Sequence, residues 1–175
     1  VDLAFIKLPE IKTRVLENQG KRFYDLTKIR NEALKFKLDS HSEHEHIWNL
    51  AGVPEILITK ETVPNLGRKW DLTFQIIPVS DIALLREGAE YDIYRSKVRY
   101  DDTIGLPKTF GGVSGGGLWR GEIYNQDSLK LHLSGVAYKQ SELKNEMREI
   151  ECHGIKSIFI KLYQAILDSK YSALN

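Results

Sequence analysis

The chain has 175 residues, of which 42% are hydrophobic and 28% charged, a composition typical of a folded globular domain. Its 25 basic and 24 acidic residues leave a net charge of +1, which argues against a dedicated nucleic-acid binder because such proteins carry a clustered basic excess. No apolar run approaches the roughly 18–20 residues that a membrane-spanning helix needs. The single cysteine, Cys152, excludes an internal disulfide framework and favours a reducing, cytoplasmic location.

The first third of the chain contains patterns typical of a strand, of helices and of a loop. Alternating residues in Val1–Leu8 predict a buried strand. Glu10–Gln19 predicts a helix that ends at Gly20, and the lysine-rich run Phe23–Leu38 fits either a helix or an extended connection. The polar run Asp39–His46 contains three histidines and predicts an exposed loop.

From residue 47 onward the pattern is typical of β-strands. The strand-like segments are rich in β-branched and aromatic residues and are separated by turn-forming residues. They are Ile47–Ala51, Ile56–Thr59, Leu72–Val79, Tyr91–Tyr100, Leu118–Ile123 and Leu129–Tyr138. The last two are joined by Asn125–Asp127 and predict a hairpin. Apolar residues at helical spacing over Ile155–Leu167 predict a C-terminal helix on a mostly β chain.

The segment Gly111–Gly117 contains five glycines together with Ser114. Glycine loses the most backbone entropy on folding, so this run indicates positive φ angles or a close approach of the backbone to another group. A flexible linker is disfavoured because strand-like segments flank the run. A phosphate-binding loop would continue with Lys and Ser or Thr, where this chain has Leu118 and Trp119. An α/β-hydrolase elbow is disfavoured because it must lead into a helix, which three glycines oppose.

Four segments resemble trypsin-like serine proteases. Gly112–Gly116, read Gly-Val-Ser-Gly-Gly between two strands, resembles the nucleophile loop of that family. Asp2–Leu8 resembles the segment that carries the triad aspartate, and it precedes the serine as in the family. His132–Tyr138 resembles the strand that pairs with the substrate backbone, and His153–Ile155 resembles the turn that closes the specificity pocket. The chain is therefore similar to the C-terminal portion of a bacterial trypsin-like serine protease.

This resemblance implies an all-β, chymotrypsin-like double β-barrel, mainly the second barrel plus the end of the first, with a C-terminal α-helix. Residues 1–50 would be the end of the first barrel and a connecting insertion, 51–155 the second barrel and 156–175 the helix. The implied function is a serine endopeptidase that cleaves polypeptides through an acyl-enzyme, with no cofactor and no metal. Nucleic acid and membrane are not expected as partners.

The resemblance also assigns roles to individual residues. Ser114 would be the nucleophile, with the N–H groups of Gly112 and Ser114 forming an oxyanion hole. Asp2 would orient the catalytic histidine and stabilise its charged form. The expected substrate-binding residues are Lys108, Phe110, Ala137 and His153. A lysine at position 108, at the base of the pocket, would favour acidic or polar side chains over basic ones, and the alternative is a surface lysine.

The chain departs from the family at two places. The catalytic histidine should precede the aspartate, yet only Val1 precedes Asp2. We therefore expect an upstream segment or a second chain to supply this histidine and the rest of the first barrel. Val113 stands where many relatives carry an aspartate that pairs with a newly formed amino terminus, so we do not expect activation through that ion pair.

Two further functions remain open alongside the peptidase. One is a protease-like domain that has lost activity and serves as a binding module. The other is a metal-binding β-domain, because His41, His44 and His46 bring three imidazoles into one loop. Cys152 next to His153 is not expected to be a nucleophile, since no oxyanion loop adjoins it.

Overall fold

The computed structural model describes residues 3–5, 8–21, 23–36, 46–63, 67–100, 106, 109–125 and 128–172. The α-helices in this part of the chain are α1 (Glu10–Asn18), α2 (Leu26–Ala33) and α3 (Tyr163–Ser172), and a π-helical segment, Ser157–Leu162, leads into α3. The strands are β1 (His46–Gly52), β2 (Ile58–Val63), β3 (Gly67–Leu72), β4 (Gln75–Pro78), β5 (Ser80–Glu87), β6 (Asp92–Arg99), β7 (Gly117–Asn125), β8 (Ser128–Gln140) and β9 (Met147–His153). The prediction of a mostly β chain with a C-terminal helix is confirmed.

Seven of these strands form one antiparallel sheet in the order β4-β1-β7-β8-β9-β6-β5, while β2 and β3 form a separate hairpin. The two edge strands of the large sheet, β4 and β5, are consecutive in the chain, and only Val79 lies between them. With one residue between them, the Cα atoms of Pro78 and Ser80 lie within about 7 Å of each other. The two edges of the sheet are therefore close together at this point, and the sheet curls back on itself. No ladder joins β4 to β5 among the described residues, and neither sheet is a closed barrel.

The hydrophobic core joins the inner face of the large sheet to the C-terminal helical segment. Leu50 from β1, Val98 from β6 and Leu118 from β7 are fully buried, and so is Phe159 from the π-helical segment. Side chains alternate between the two faces of a strand, so the core takes Tyr94, Ser96 and Val98 from one face of β6. Helix α2 adds Ala33 to the same core.

The buried strand predicted for Val1–Leu8 is wrong for the residues that the structure describes in it. Leu3–Phe5 forms no strand, and Phe5 is 40% exposed. A strand needs a neighbour for its backbone N–H and C=O groups, and no described strand adjoins this segment. The helix predicted over Glu10–Gln19 is confirmed by α1, and the ambiguous run Phe23–Leu38 contains α2.

The strands predicted after residue 46 agree with the sheet in most places. Ile47–Ala51 lies within β1, Tyr91–Tyr100 contains β6, and the predicted hairpin corresponds to β7 and β8. Ile56–Thr59 differs, because a 3-10 turn, Glu55–Leu57, precedes β2. Leu72–Val79 covers the end of β3 and all of β4, which belong to different sheets.

A buried carboxylate ties β6 to the start of the C-terminal helical segment. The Asp92 side chain accepts a hydrogen bond from the Ser157 backbone N–H at 3.0 Å. The Ser157 hydroxyl donates to the Asp92 carbonyl at 2.7 Å and accepts from the Asp92 N–H at 3.0 Å. Both residues are buried, and a Cβ on Gly154 would lie 2.7 Å from the carboxylate. Asp92 therefore satisfies a backbone donor at a helix N-terminus, where negative charge is also favoured.

We expect Asp92→Ala to lower the free energy of unfolding by about 1–3 kcal/mol, because it leaves the buried Ser157 N–H without an acceptor. The matched control is Asp71→Ala, which removes an exposed carboxylate paired with Lys69 and should change stability by less than about 0.5 kcal/mol. Chemical denaturation of both variants measures the difference. Equal stability of the two variants would contradict this role of Asp92.

Candidate functional site

The loop that carries Ser114 is anchored to the core from beneath and leads directly into β7. Phe110 and Val113 are 5% and 2% exposed and belong to the hydrophobic core. Ser114 follows Val113 and is exposed, and its hydroxyl forms no hydrogen bond with any described residue. The Ser114 hydroxyl is therefore exposed to solvent, while the buried side chains of Phe110 and Val113 anchor the backbone before and after Gly112.

Backbone hydrogen bonds in this loop leave two amides available. The N–H groups of Gly112 and Ser114 donate to no acceptor within the described part of the chain. The N–H groups of three neighbours donate close to the loop: Gly111 to Thr109 Oγ1 at 3.3 Å, Val113 to the Phe110 carbonyl at 3.0 Å and Gly116 to the Val113 carbonyl at 2.7 Å. The Gly115 N–H donates to the Ala137 carbonyl on β8 at 2.8 Å. An oxyanion hole requires two donors beside a nucleophile, and the amides of Gly112 and Ser114, with one residue between them, are the candidates in this loop.

Gly112 needs to be glycine for two separate reasons. Its φ is +87°, in the left-handed region that side chains disfavour. A Cβ at this position would also lie 2.7 Å from the Glu55 backbone nitrogen. The glycine run was expected to mark positive φ angles or a close approach of the backbone to another group, and Gly112 shows both.

Four of the residues expected at the site line one cavity of about 90 Å³: Phe110, Gly112, Ser114 and Ala137. Leu50 and Ile150, both buried, contribute apolar walls, and the side chains of β8 beyond Ala137 complete the lining. Segments separated by more than twenty residues in sequence therefore meet at the Ser114 loop. Asp2 and Lys108, expected as the triad aspartate and the pocket base, lie outside the described residues.

His153, expected to bind substrate, lies behind the cavity rather than in its lining. It is 4% exposed, and its ring stacks on Tyr138 with 4.4 Å between centroids. Tyr138 does line the cavity, and its hydroxyl donates to the Glu151 carboxylate at 2.6 Å. Burial and this hydrogen bond raise the pKa of Tyr138 to about 12, so its hydroxyl stays protonated near neutral pH. Tyr138 is a lining residue that the sequence did not single out.

The described histidines are engaged elsewhere and none lines the cavity. His46 in β1 contacts the Phe36 ring edge to face, with 5.9 Å between centroids. His132 in β8 lies 3.3 Å from the Glu122 carboxylate. His41 and His44, the other members of the predicted metal loop, lie outside the residues that the structure describes. Among the residues that it describes, no group of three His, Cys, Asp or Glu is placed to bind a metal.

His132 belongs to a buried charged cluster between the sheet and the segment after α2. Arg120 forms an ion pair with Glu122, and its guanidinium lies 3.7 Å from the centre of the Phe36 ring. Glu32 in α2 lies 4.0 Å from His132. Burial, together with the positive charge of Arg120, lowers the pKa of His132 below its usual value, although both carboxylates oppose this shift.

This pKa shift predicts acid sensitivity. A histidine whose folded pKa is lowered contributes stability that is present above its unfolded pKa of about 6.5 and is lost as the pH falls toward the folded pKa. We therefore expect the free energy of unfolding to decrease between pH 7.5 and 5.5 by more in the wild type than in His132→Gln, which cannot be protonated. Denaturation curves at both pH values measure this, and identical decreases would contradict it.

The two glycines with positive φ in the loop provide a matched pair of substitutions. Gly115→Ala places its Cβ in open space, so we expect only the left-handed backbone cost of about 1–2 kcal/mol. Gly112→Ala adds an overlap with the main chain of Glu55, so its free energy of unfolding should fall by at least about 1 kcal/mol more. Chemical denaturation compares them, and equal losses would show that the Glu55 contact is unimportant.

Comparisons with protein-family models, curated proteins and solved structures find no match to this chain. None of the described helices is both long and apolar enough to cross a membrane.

Proposed function

We propose that this protein is a serine endopeptidase of the chymotrypsin-like type, with Ser114 as its nucleophile. One observation carries this proposal: the exposed Ser114 hydroxyl lies beside two amides, those of Gly112 and Ser114, that have no acceptor within the described residues. The same loop borders a cavity to which Phe110 and Ala137 contribute, as the family resemblance implies for a substrate pocket.

In this mechanism the Ser114 oxygen attacks the carbonyl carbon of a peptide bond while a histidine removes the hydroxyl proton. Negative charge develops on the carbonyl oxygen, where the amides of Gly112 and Ser114 stabilise it. The amine leaves with the proton from the histidine, and water then hydrolyses the acyl-enzyme. The histidine belongs to an upstream segment or a second chain, and Asp2 orients it.

The strand order supports a chymotrypsin-like second barrel. Strands β4 and β5 are consecutive in the chain but lie at opposite edges of the sheet. A sheet whose two edges are joined in this way has to curve toward a barrel. The sheet already begins at His46, slightly before the expected boundary at residue 51, and it ends at His153 before the C-terminal helical segment. The residues before His46 would then connect this unit to the rest of the first barrel.

The free edge of β8 supports an extended polypeptide as substrate. The pairing of β7 with β8 ends at Gly117 and Val136, and the Ser114 loop bonds to Ala137. Beyond Ala137, β8 continues to Gln140 with β9 on one side and no described strand on the other. A substrate can add there as an extra strand through main-chain hydrogen bonds, which places its scissile carbonyl beside Ser114.

The size and lining of the cavity favour a short aliphatic side chain. Its volume is about 90 Å³, smaller than an apolar cavity of about 150 Å³ that holds benzene. Leu50, Val113 and Ile150 supply an apolar part of its lining, and Gln140 is tied to the loop by accepting from the Phe110 N–H at 3.0 Å. The acidic preference implied by Lys108 depends on a residue outside the described ones.

A fluorophosphonate probe tests the proposal in the protein at its full native length. We expect covalent labelling of Ser114, detected by mass spectrometry, and labelling reduced to background in Ser114→Ala. Ser80→Ala, which changes an exposed serine of β5, should label like the wild type. Labelling of another residue, or none, would contradict the proposal. Peptide binding without labelling would favour the binding module, and stoichiometric zinc would favour the metal-binding domain.

A further inference from the structure

Something other than a buried ion pair must hold the oxyanion loop in place. Val113 has no charge and is packed into the core, so it anchors the loop without fixing the direction of the neighbouring amides. The peptide between Gly111 and Gly112 joins two glycines, whose backbones rotate more freely than any others. Its orientation therefore depends on a partner outside the loop.

That partner is the backbone of Glu55. The Glu55 N–H donates to the Gly111 carbonyl at 2.5 Å. Glu55 begins the 3-10 turn at the base of the β2–β3 hairpin, and Pro54 before it is fully buried, so the donor is fixed in position. The side chain of Glu55 is exposed, and its carboxylate forms no hydrogen bond with the residues described.

The hydrogen bond from Glu55 to the Gly111 carbonyl also sets the direction of the Gly112 N–H, because both groups belong to one planar peptide. In a trans peptide the C=O and the following N–H point in opposite directions, and the Gly111–Gly112 peptide is trans. Because the Gly111 carbonyl points at Glu55, the Gly112 N–H points away from it. Gly111 and Gly112 both line the Ser114 cavity and Glu55 does not, so an N–H directed away from Glu55 is available to a group bound in the cavity.

We propose that the backbone N–H of Glu55 is the positioning group of the oxyanion hole. Resting on the proposed function, this inference adds the base of the β2–β3 hairpin to the elements that determine activity. Without this hydrogen bond, the Gly111–Gly112 peptide can rotate and turn a carbonyl oxygen, instead of an N–H, toward the developing negative charge. The hole would then lose one of its two donors.

Two substitutions at one position separate the N–H from the side chain. Glu55→Pro removes the N–H and puts the ring Cδ where the hydrogen now points at the Gly111 carbonyl, 2.5 Å from the nitrogen, so that carbonyl must move. The main chain before residue 55 suits a proline, because Pro54 is extended, with φ −60° and ψ 136°. Proline is also tolerated in the first turn of a helix. Glu55→Ala keeps the N–H and removes only the carboxylate.

We expect Glu55→Pro to lower kcat about 10²- to 10³-fold, as for the loss of one oxyanion donor, with KM within about twofold of wild type. Glu55→Ala should keep kcat within about threefold of the wild type. The much larger fall in Glu55→Pro would then be due to the loss of the N–H and not to the loss of the carboxylate. Steady-state kinetics on peptide substrates, normalised to folded protein by circular dichroism, measure this split. Because a smaller folded fraction would also lower the apparent kcat at unchanged KM, the normalisation to folded protein is what separates the two causes.

If Glu55→Pro does not fold, an ester in place of the residue 55 amide removes the same N–H without the ring, and the same fall in kcat is expected. Wild-type kcat in the proline or ester variant would overturn the inference, and so would equal losses in Glu55→Pro and Glu55→Ala. Failure of the proposed function has a different signature, because the wild type would then neither label nor cleave peptides.

Discussion

The structure around Ser114 depends on how a short glycine-rich loop satisfies its backbone amides. Buried N–H groups need acceptors, and most amides of the loop find them within the loop or on β8. Gly112 and Ser114 are the two loop amides without an acceptor in the described part of the chain. Unsatisfied donors are tolerated at a solvent-facing surface, where water accepts from them and where, in the proposed function, a substrate oxygen would replace that water. Glycine is needed at position 112 because of its positive φ and its contact with Glu55, and hydrogen bonds hold the peptides on either side of it.

Three different kinds of support hold this loop. Phe110 and Val113 anchor it in the hydrophobic core, and Ala137 on β8 bonds to its distal end. The third support is the main chain at Glu55, which fixes the peptide before Gly112. Hydrophobic packing sets the position of the loop, whereas the two backbone contacts set the direction of its peptides. This division explains how a valine can stand at position 113 without leaving the loop disordered.

The sequence predicted those parts of the fold that local patterns encode. Apolar alternation identified the β7–β8 hairpin, and glycine density identified the loop around Ser114. Strand β9 was missed because the alternation of Glu149 and Glu151 with apolar Ile150 and Cys152 is too short to identify a strand. In the structure the two glutamates pair with Arg95 on β6 and Lys139 on β8. The strand predicted at Val1–Leu8 was based on apolar residues, of which Phe5 and Leu8 are exposed in the structure. Glu55 gave no signal at all, since a long-range contact made by a backbone N–H does not depend on its side chain.

The most direct measurement is a crystal structure of the full-length protein after reaction with a fluorophosphonate, which leaves a tetrahedral phosphorus on the nucleophile. Our account predicts a phosphonyl oxygen about 2.7–3.1 Å from the backbone nitrogens of both Gly112 and Ser114. It also predicts an imidazole in hydrogen-bonding contact with the Ser114 oxygen. Diverging N–H groups at Gly112 and Ser114, with no imidazole near the modified serine, would contradict it.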